Sequence, residues 1–265
     1  MKLRQAKKKK RHPTERFDPE FVDRVRRFLG PLRRYFRFRV WGLEHIPKRG
    51  PAIIVMNHGI IPYHAYLFHM YLVSKLKIYS RGLGASFLFD IPFINQFFLK
   101  GGAVDANEEN ALKLLREKNI VMLSPGGIYE ALIAKKGLRR IPWERRQGFV
   151  RIAVKTRAPI IPTYCQGINS VYYNIYFLLK ARIKFLELTR FSLPFFFGLG
   201  LFPLPKRLTH IIGAPIPIKR KKGETKGQQI HRIHQEVIQS MSELAQKKVK
   251  HSVTLPRGLF RRGST

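Results

Sequence analysis

The chain has 265 residues, 45% of them hydrophobic, which suffices for a real core and excludes a disordered chain. Lys+Arg number 51 against Asp+Glu 16, a net charge of +35, so the expected partners are anionic: nucleic acid, anionic lipid or phosphorylated small molecules. A single cysteine, Cys165, excludes intrachain disulfides and any cysteine-based zinc cluster.

Residues 1–18 read as a basic tail (Lys2, Arg4, Lys7 to Lys10, Arg11) with no uninterrupted apolar core behind it, so no signal peptide is expected. Residues 19–38 read as one amphipathic helix. Phe21, Val22, Val25, Phe28, Leu29, Leu32 and Phe36 recur at helical spacing, with arginines largely between them. Gly30-Pro31 should bend it. Aromatics on one side and arginines on the other suit a helix lying in a membrane surface; a helix packed on the core is the alternative.

The body of the chain, residues 39–250, reads as one α/β domain. Phe36 to Leu43 alternates as a strand does, and Pro47 to Pro51 forms a break. Ala52 to Met56 is an apolar run suited to a buried strand, and it stops at Asn57-His58-Gly59. Tyr66 to Leu76 reads as a helix, Tyr79 to Gly84 as a short strand or loop. Asp105 or Asn107 can cap the next helix, with Glu108 and Glu109 in its first turn.

A second buried strand, Ile120 to Leu123, runs into Ser124-Pro125-Gly126-Gly127-Ile128-Tyr129-Glu130. A basic loop follows, with Lys135, Lys136, Arg139, Arg140, Arg145 and Arg146. Gln147 to Arg157 reads as a helix, Ile160 to Tyr164 as a strand, and His210 to Ile212 as another. Phe191 to Pro205 is aromatic but only about 15 residues long and broken by proline and glycine, short of the roughly 20 residues a membrane span needs. It suits the bilayer interface. Thr225 to Lys248 reads as a helix on which His231 and His234, lacking flanking ligands, are expected to be solvated. Residues 251–265 form a basic C-terminal tail. Alternating strands and helices at this spacing predict a mostly parallel central sheet flanked by helices.

Two loops can carry chemistry. In an open α/β sheet, ligands gather at the carboxyl ends of strands, where both loops fall. His58 can act as a general base, or be a structural histidine in a turn. Glu130 can relay charge to it, or be a solvated acid at a helix start. Gly126 and Gly127 can offer backbone N–H groups to an oxyanion, or form a plain turn. Gly-x-Ser-x-Gly, Walker A and strand-linked Gly-x-Gly-x-x-Gly motifs are absent. What remains is attack on an acyl group by a substrate hydroxyl activated at His58.

Four blocks in order resemble the glycerolipid acyltransferase superfamily. They are Asn57-His58-Gly59-Ile60-Ile61-Pro62, Ser124 to Leu132, Arg146-Gln147-Gly148-Phe149 with Ala158 to Pro162, and Gly213-Ala214-Pro215-Ile216. The pattern is most similar to the second-type diacylglycerol acyltransferases and the transmembrane-protein-68-like branch. The resemblance implies a glycerol-phosphate-acyltransferase-like fold and a membrane-bound O-acyltransferase on the cytoplasmic face of a membrane. It implies no metal or other cofactor, membrane lipids as partners, and acyl-CoA or an acyl carrier protein as donor. His58 would be the base, with Glu130 as relay and His64 as a second candidate. Asn57, Gly59, Ser124, Pro125, Gly126, Gly127, Arg145 and Arg146 would bind substrate.

The chain departs from the superfamily in two places. The usual aspartate after the histidine is missing, with Tyr63 and His64 in that region. The usual arginine is absent from Gly101 to Asn107, which favours a neutral glycerolipid acceptor. A catalytically degenerate lipid-binding relative and a basic nucleic-acid-binding protein are the alternatives; the aromatic ladder expected of the latter is not recognisable.

Overall fold

The computed structural model describes residues 12–137, 140–189 and 195–249. Most of the expected N-terminal tail, the tail 251–265, Arg139 and positions 191–194 of the aromatic segment lie outside the described residues. In chain order the elements are α1 (Pro19–Phe28), α2 (Gly30–Tyr35), β1 (Arg39–Trp41), β2 (Ala52–Met56), α3 (Tyr63–Leu76), β3 (Arg81–Gly84) and α4 (Phe87–Asp90). There follow α5 (Ile94–Lys100), β4 (Val104–Asp105), α6 (Glu108–Arg116), β5 (Ile120–Leu123), α7 (Gly127–Ile133) and α8 (Gly148–Thr156). The last are β6 (Ile160–Gln166), β7 (Tyr173–Asn174), α9 (Leu179–Thr189), β8 (Phe196–Phe197), β9 (Thr209–Ile212) and α10 (Lys226–Gln246).

Seven strands form one sheet in the order β1-β9-β6-β2-β5-β3-β4. The run from β6 to β4 is parallel throughout, as the sequence predicts. Strand β9 lies antiparallel to β6, and β1 pairs parallel with β9, so these two run against the rest.

Strand β2 is central and buried along its whole length. Its unbroken apolar run is what a strand covered on both faces requires. Ile53 and Val55 enter a core with Leu114, Phe149, Val237 and Met241, from α6, α8 and α10. Ala52, Ile54 and Met56 enter the opposite core with Phe36, Phe68 and Leu72. Each isoleucine so buried contributes about 2–3 kcal/mol. The result is a sheet between two helical layers.

The helices follow local signals. Asn107 caps α6, accepting from the Asn110 N–H at 2.8 Å. Asp105, the other expected cap, ends β4 instead and accepts from Ser86 Oγ at 2.7 Å. The expected bend at Gly30-Pro31 separates α1 from α2. Helix α1 buries Val22 and sets Phe21 edge-on to Phe97 of α5 at 5.4 Å, while Phe28 is 83% exposed. Part of its apolar side therefore packs on protein.

Helix α10 corrects one expectation. His234 is fully buried rather than solvated, because it falls one position after Ile233 on the same inward face. Helix α9 and the β7–β8 pair were not foreseen, since residues 179–189 mix charged and apolar side chains without a clear stripe.

Candidate active site

The site arises from sheet register. Strands β2 and β5 are parallel neighbours with Val55 opposite Leu123, so their following loops leave the same edge side by side. One loop carries Asn57-His58-Gly59 and the other carries Ser124 to Glu130.

His58 borders a large cavity of about 2360 Å³. Its Nδ1 hydrogen-bonds the Gly59 carbonyl, the only bond of the ring among the described residues. A carbonyl can only accept, so Nδ1 carries the proton and Nε2 keeps a lone pair. Burial pushes the imidazole below its ordinary value of 6.5, partly offset by the Gly59 bond. His58 is therefore neutral near pH 7. The Gly59 carbonyl fixes the tautomer and the orientation of the ring.

Asn57 does not face a ligand. Its Oδ1 accepts the Cys165 N–H at 2.8 Å and its Nδ2 donates to the Cys165 carbonyl at 3.3 Å. The side chain continues the pairing of β2 with β6 one residue past the strand. Its own carbonyl accepts from His64 Nε2 at 2.9 Å. His64, in the first turn of α3, is fully buried and pushed down to about 3 by burial and by His58. It braces the loop from behind and does not line the cavity. Asn57→Leu keeps the volume but leaves both Cys165 backbone groups buried and unpaired, so chemical denaturation should show a loss of about 2–4 kcal/mol.

Glu130, far from solvated, is 5% exposed. Its Oε2 accepts the Trp143 indole N–H at 2.9 Å, and the backbone N–H of His58 exerts a further, weaker pull on the carboxylate. Burial raises it to about 7, against the pull of those two donors. Glu130 thus lies toward the backbone of the histidine loop; no bond joins it to the imidazole among the described residues. A Cβ on Gly126 would overlap the Glu130 carboxylate, which is why the turn before α7 carries a glycine there. At Gly59 a Cβ would meet Ile168 Cγ1 at 2.5 Å, so this glycine admits close packing rather than a ligand.

Ser124, Pro125 and Gly127 line the cavity, as do Arg145 and Arg146, both exposed. The Gly127 N–H is engaged by the Ser124 carbonyl at 3.0 Å, and Gly126 lies behind it against Glu130. Ile128 also lines the cavity, and its N–H, in the first turn of α7, has no backbone partner among the described residues. The walls are otherwise mostly apolar, including Ile60, Ile61, Leu67, Met70 and Phe98. Arginines of the α1–α2 region, Arg26, Arg27 and Arg33 among them, border it as well.

Sequence reasoning missed Trp143. The signal was present: Ile141-Pro142-Trp143 is an apolar trio inside a basic loop, and all three residues are buried.

The family model described as diacylglycerol acyltransferase matches residues 33–259. A human protein described as a DGAT1/2-independent enzyme synthesizing storage lipids is 32% identical over 184 residues, covering 68% of this chain and 54% of the relative. Diacylglycerol O-acyltransferase 2 of Dictyostelium discoideum is 26% identical over 240 residues, covering 82% and 72%. The chain thus spans about half the length of the first of these relatives. The crystal structure of the 1-acyl-sn-glycerophosphate acyltransferase PlsC from Thermotoga maritima superposes with a TM-score of 0.55 at 17% identity, over 86% of this chain and 81% of that one. That likeness is one of fold.

Proposed function

Because the chain belongs to the diacylglycerol acyltransferase family, we propose that it is a membrane-associated O-acyltransferase that moves a fatty acyl group from a thioester to a glycerolipid hydroxyl. The observation that carries this reading is a neutral His58, its Nε2 lone pair available, at the wall of a mostly apolar cavity large enough for lipid chains.

In this reading His58 Nε2 takes the proton of the acceptor hydroxyl as the oxygen attacks the thioester carbonyl carbon. The tetrahedral oxyanion receives the Ile128 N–H. Collapse breaks the C–S bond, and the leaving thiolate takes the proton back from His58. The proton balance closes on one imidazole. Arg145 and Arg146 hold the phosphates of acyl-CoA, or the acidic surface of an acyl carrier protein.

A bilayer supplies both the acceptor and the surface. Phe177, Leu178, Leu188, Leu199, Leu201 and Phe202 expose apolar side chains on and around α9 and the β7–β8 pair, with Lys180 and Lys184 beside them on α9. Aromatic and aliphatic tips with a lysine collar suit insertion into an anionic leaflet. Among the described residues no helix is long and apolar enough to cross a membrane.

The test is transfer from labelled acyl-CoA to monoacylglycerol, diacylglycerol and lysophosphatidate in vesicles. Transfer to the neutral acceptors, abolished in His58→Ala, is expected. Activity unchanged in His58→Ala overturns the mechanism. Binding of acyl-CoA and vesicles without transfer to any acceptor, from acyl-CoA or acyl carrier protein, overturns the enzyme reading in favour of a lipid-binding relative.

A further inference from the structure

Trp143 is the largest fully buried side chain in the described part of the molecule, although it sits in an otherwise basic, largely exposed stretch. It is tied on three sides. The indole N–H donates to Glu130 Oε2 at 2.9 Å. The Trp143 carbonyl accepts from His234 Nε2 of α10 at 3.0 Å. The ring meets Phe149 of α8 edge-on at 6.1 Å. The Trp143 carbonyl also accepts the Arg146 N–H at 2.7 Å, so the turn that displays Arg145 and Arg146 closes on the Trp143 backbone that His234 holds.

A buried indole needs an acceptor, and a backbone carbonyl would satisfy it cheaply. Here the acceptor is a carboxylate, whose burial is expensive and which burial has raised to about 7. The backbone N–H of His58, on the neighbouring loop of the same sheet edge, pulls on the same carboxylate. Two loops that sequence places 85 positions apart, at 58 and 143, thus meet on one carboxyl group.

We propose that Trp143 is a positioning residue: its indole couples the loop bearing Arg145 and Arg146 to the Glu130 carboxylate beside the His58 loop, so that a phosphate-bearing acyl donor seated on the arginines sets the base. This rests on the acyltransferase reading above. It differs from a purely structural role because it demands that donor binding and base position respond together.

Two measurements test it. The sequence has only two tryptophans, Trp41 and Trp143, so the indole N–H region of a nitrogen-15 spectrum holds two signals, assignable with Trp41→Phe. Adding CoA alone to the wild type should move the Trp143 signal and leave Trp41 in place; Arg145→Ala/Arg146→Ala should abolish the movement. Trp143→Phe keeps an aromatic, though smaller, ring and removes the N–H. It should melt within a few degrees of wild type, lower kcat about tenfold or more, and raise the donor KM several-fold with the acceptor KM unchanged.

CoA that moves neither indole signal, or Trp143→Phe with wild-type kcat and donor KM, overturns the coupling. A fall in kcat alone, with donor KM unchanged and no CoA response, also overturns it and leaves Trp143 structural. If CoA moves the Trp143 signal in a protein that transfers no acyl group, the coupling stands and the catalytic reading fails.

Discussion

His58→Ala should reduce acyl transfer about 10³-fold, within the 10²–10⁴ range that a positioned general base contributes. The fold should survive. His58 is only half-buried, and among the described residues its ring makes one hydrogen bond, to the neighbouring carbonyl, so a stability change beyond about 1 kcal/mol is not expected. The pH profile sharpens the test. A base must be neutral, and burial holds His58 below 6.5, so kcat/KM should rise with pH through a midpoint under that value and be level near 7. His58→Gln, which can hydrogen-bond but not take a proton at neutral pH, should be as inactive as the alanine variant. An active glutamine variant would show that the side chain orients substrate rather than moving a proton.

The second large effect is acid lability. His64 is held down to about 3 and His69 down to about 4, both chiefly by burial. His210 is also pushed well down by burial; its ring stacks on Phe68 at 4.0 Å, and neither nitrogen has a partner among the described residues. For a histidine depressed on folding, the unfolded chain binds more protons once pH falls below about 6.5. Stability is therefore full above that value and is lost as pH falls toward the folded-state value. At pH 5, His64 and His69 together should cost about 4 kcal/mol, and His210 adds to the loss. Glu130 has the opposite sign: raised to about 7, it destabilises above about 4.5 and returns about 2 kcal/mol on going from pH 7 to 5. The net is a fall, large against the 5–15 kcal/mol of a typical domain. Denaturation midpoints at pH 7.5 and 5 measure it, and His210→Leu should shrink the difference. Stability that holds level or rises toward pH 5 would contradict this burial of neutral imidazoles.

Much of the site was legible in the chain because its two loops follow two apolar runs, Ala52 to Met56 and Ile120 to Leu123. A strand buried on both faces announces itself by composition alone. Its direction does not, so nothing in Thr209 to Ile212 signalled that β9 runs against β6. The roles of individual polar residues were harder. Asn57 reads like a ligand contact because it precedes the histidine, yet its partner is a backbone 108 positions away. Glu130 reads like a relay, but whether it faces the imidazole or the backbone of His58 depends on how the two loops meet, which the sequence does not show. His234 was misread because a single polar residue on an apolar stripe says nothing of the carbonyls brought against it by another loop.

The reversed pair β1 and β9 bears on biosynthesis. Among the described residues strand β1 pairs only with β9, Arg39 opposite Thr209. The first strand made is thus among the last to be seated, after the other six strands of the sheet have left the ribosome. Loop closure over such a separation is slow. Throughout that interval the arginine-rich helices α1 and α2 ahead of β1 have no sheet to anchor them, and in the membrane reading proposed above an anionic surface competes for them. On that reading, α1 and α2 would meet the bilayer before the sheet is complete, and the remaining strands would assemble beside it.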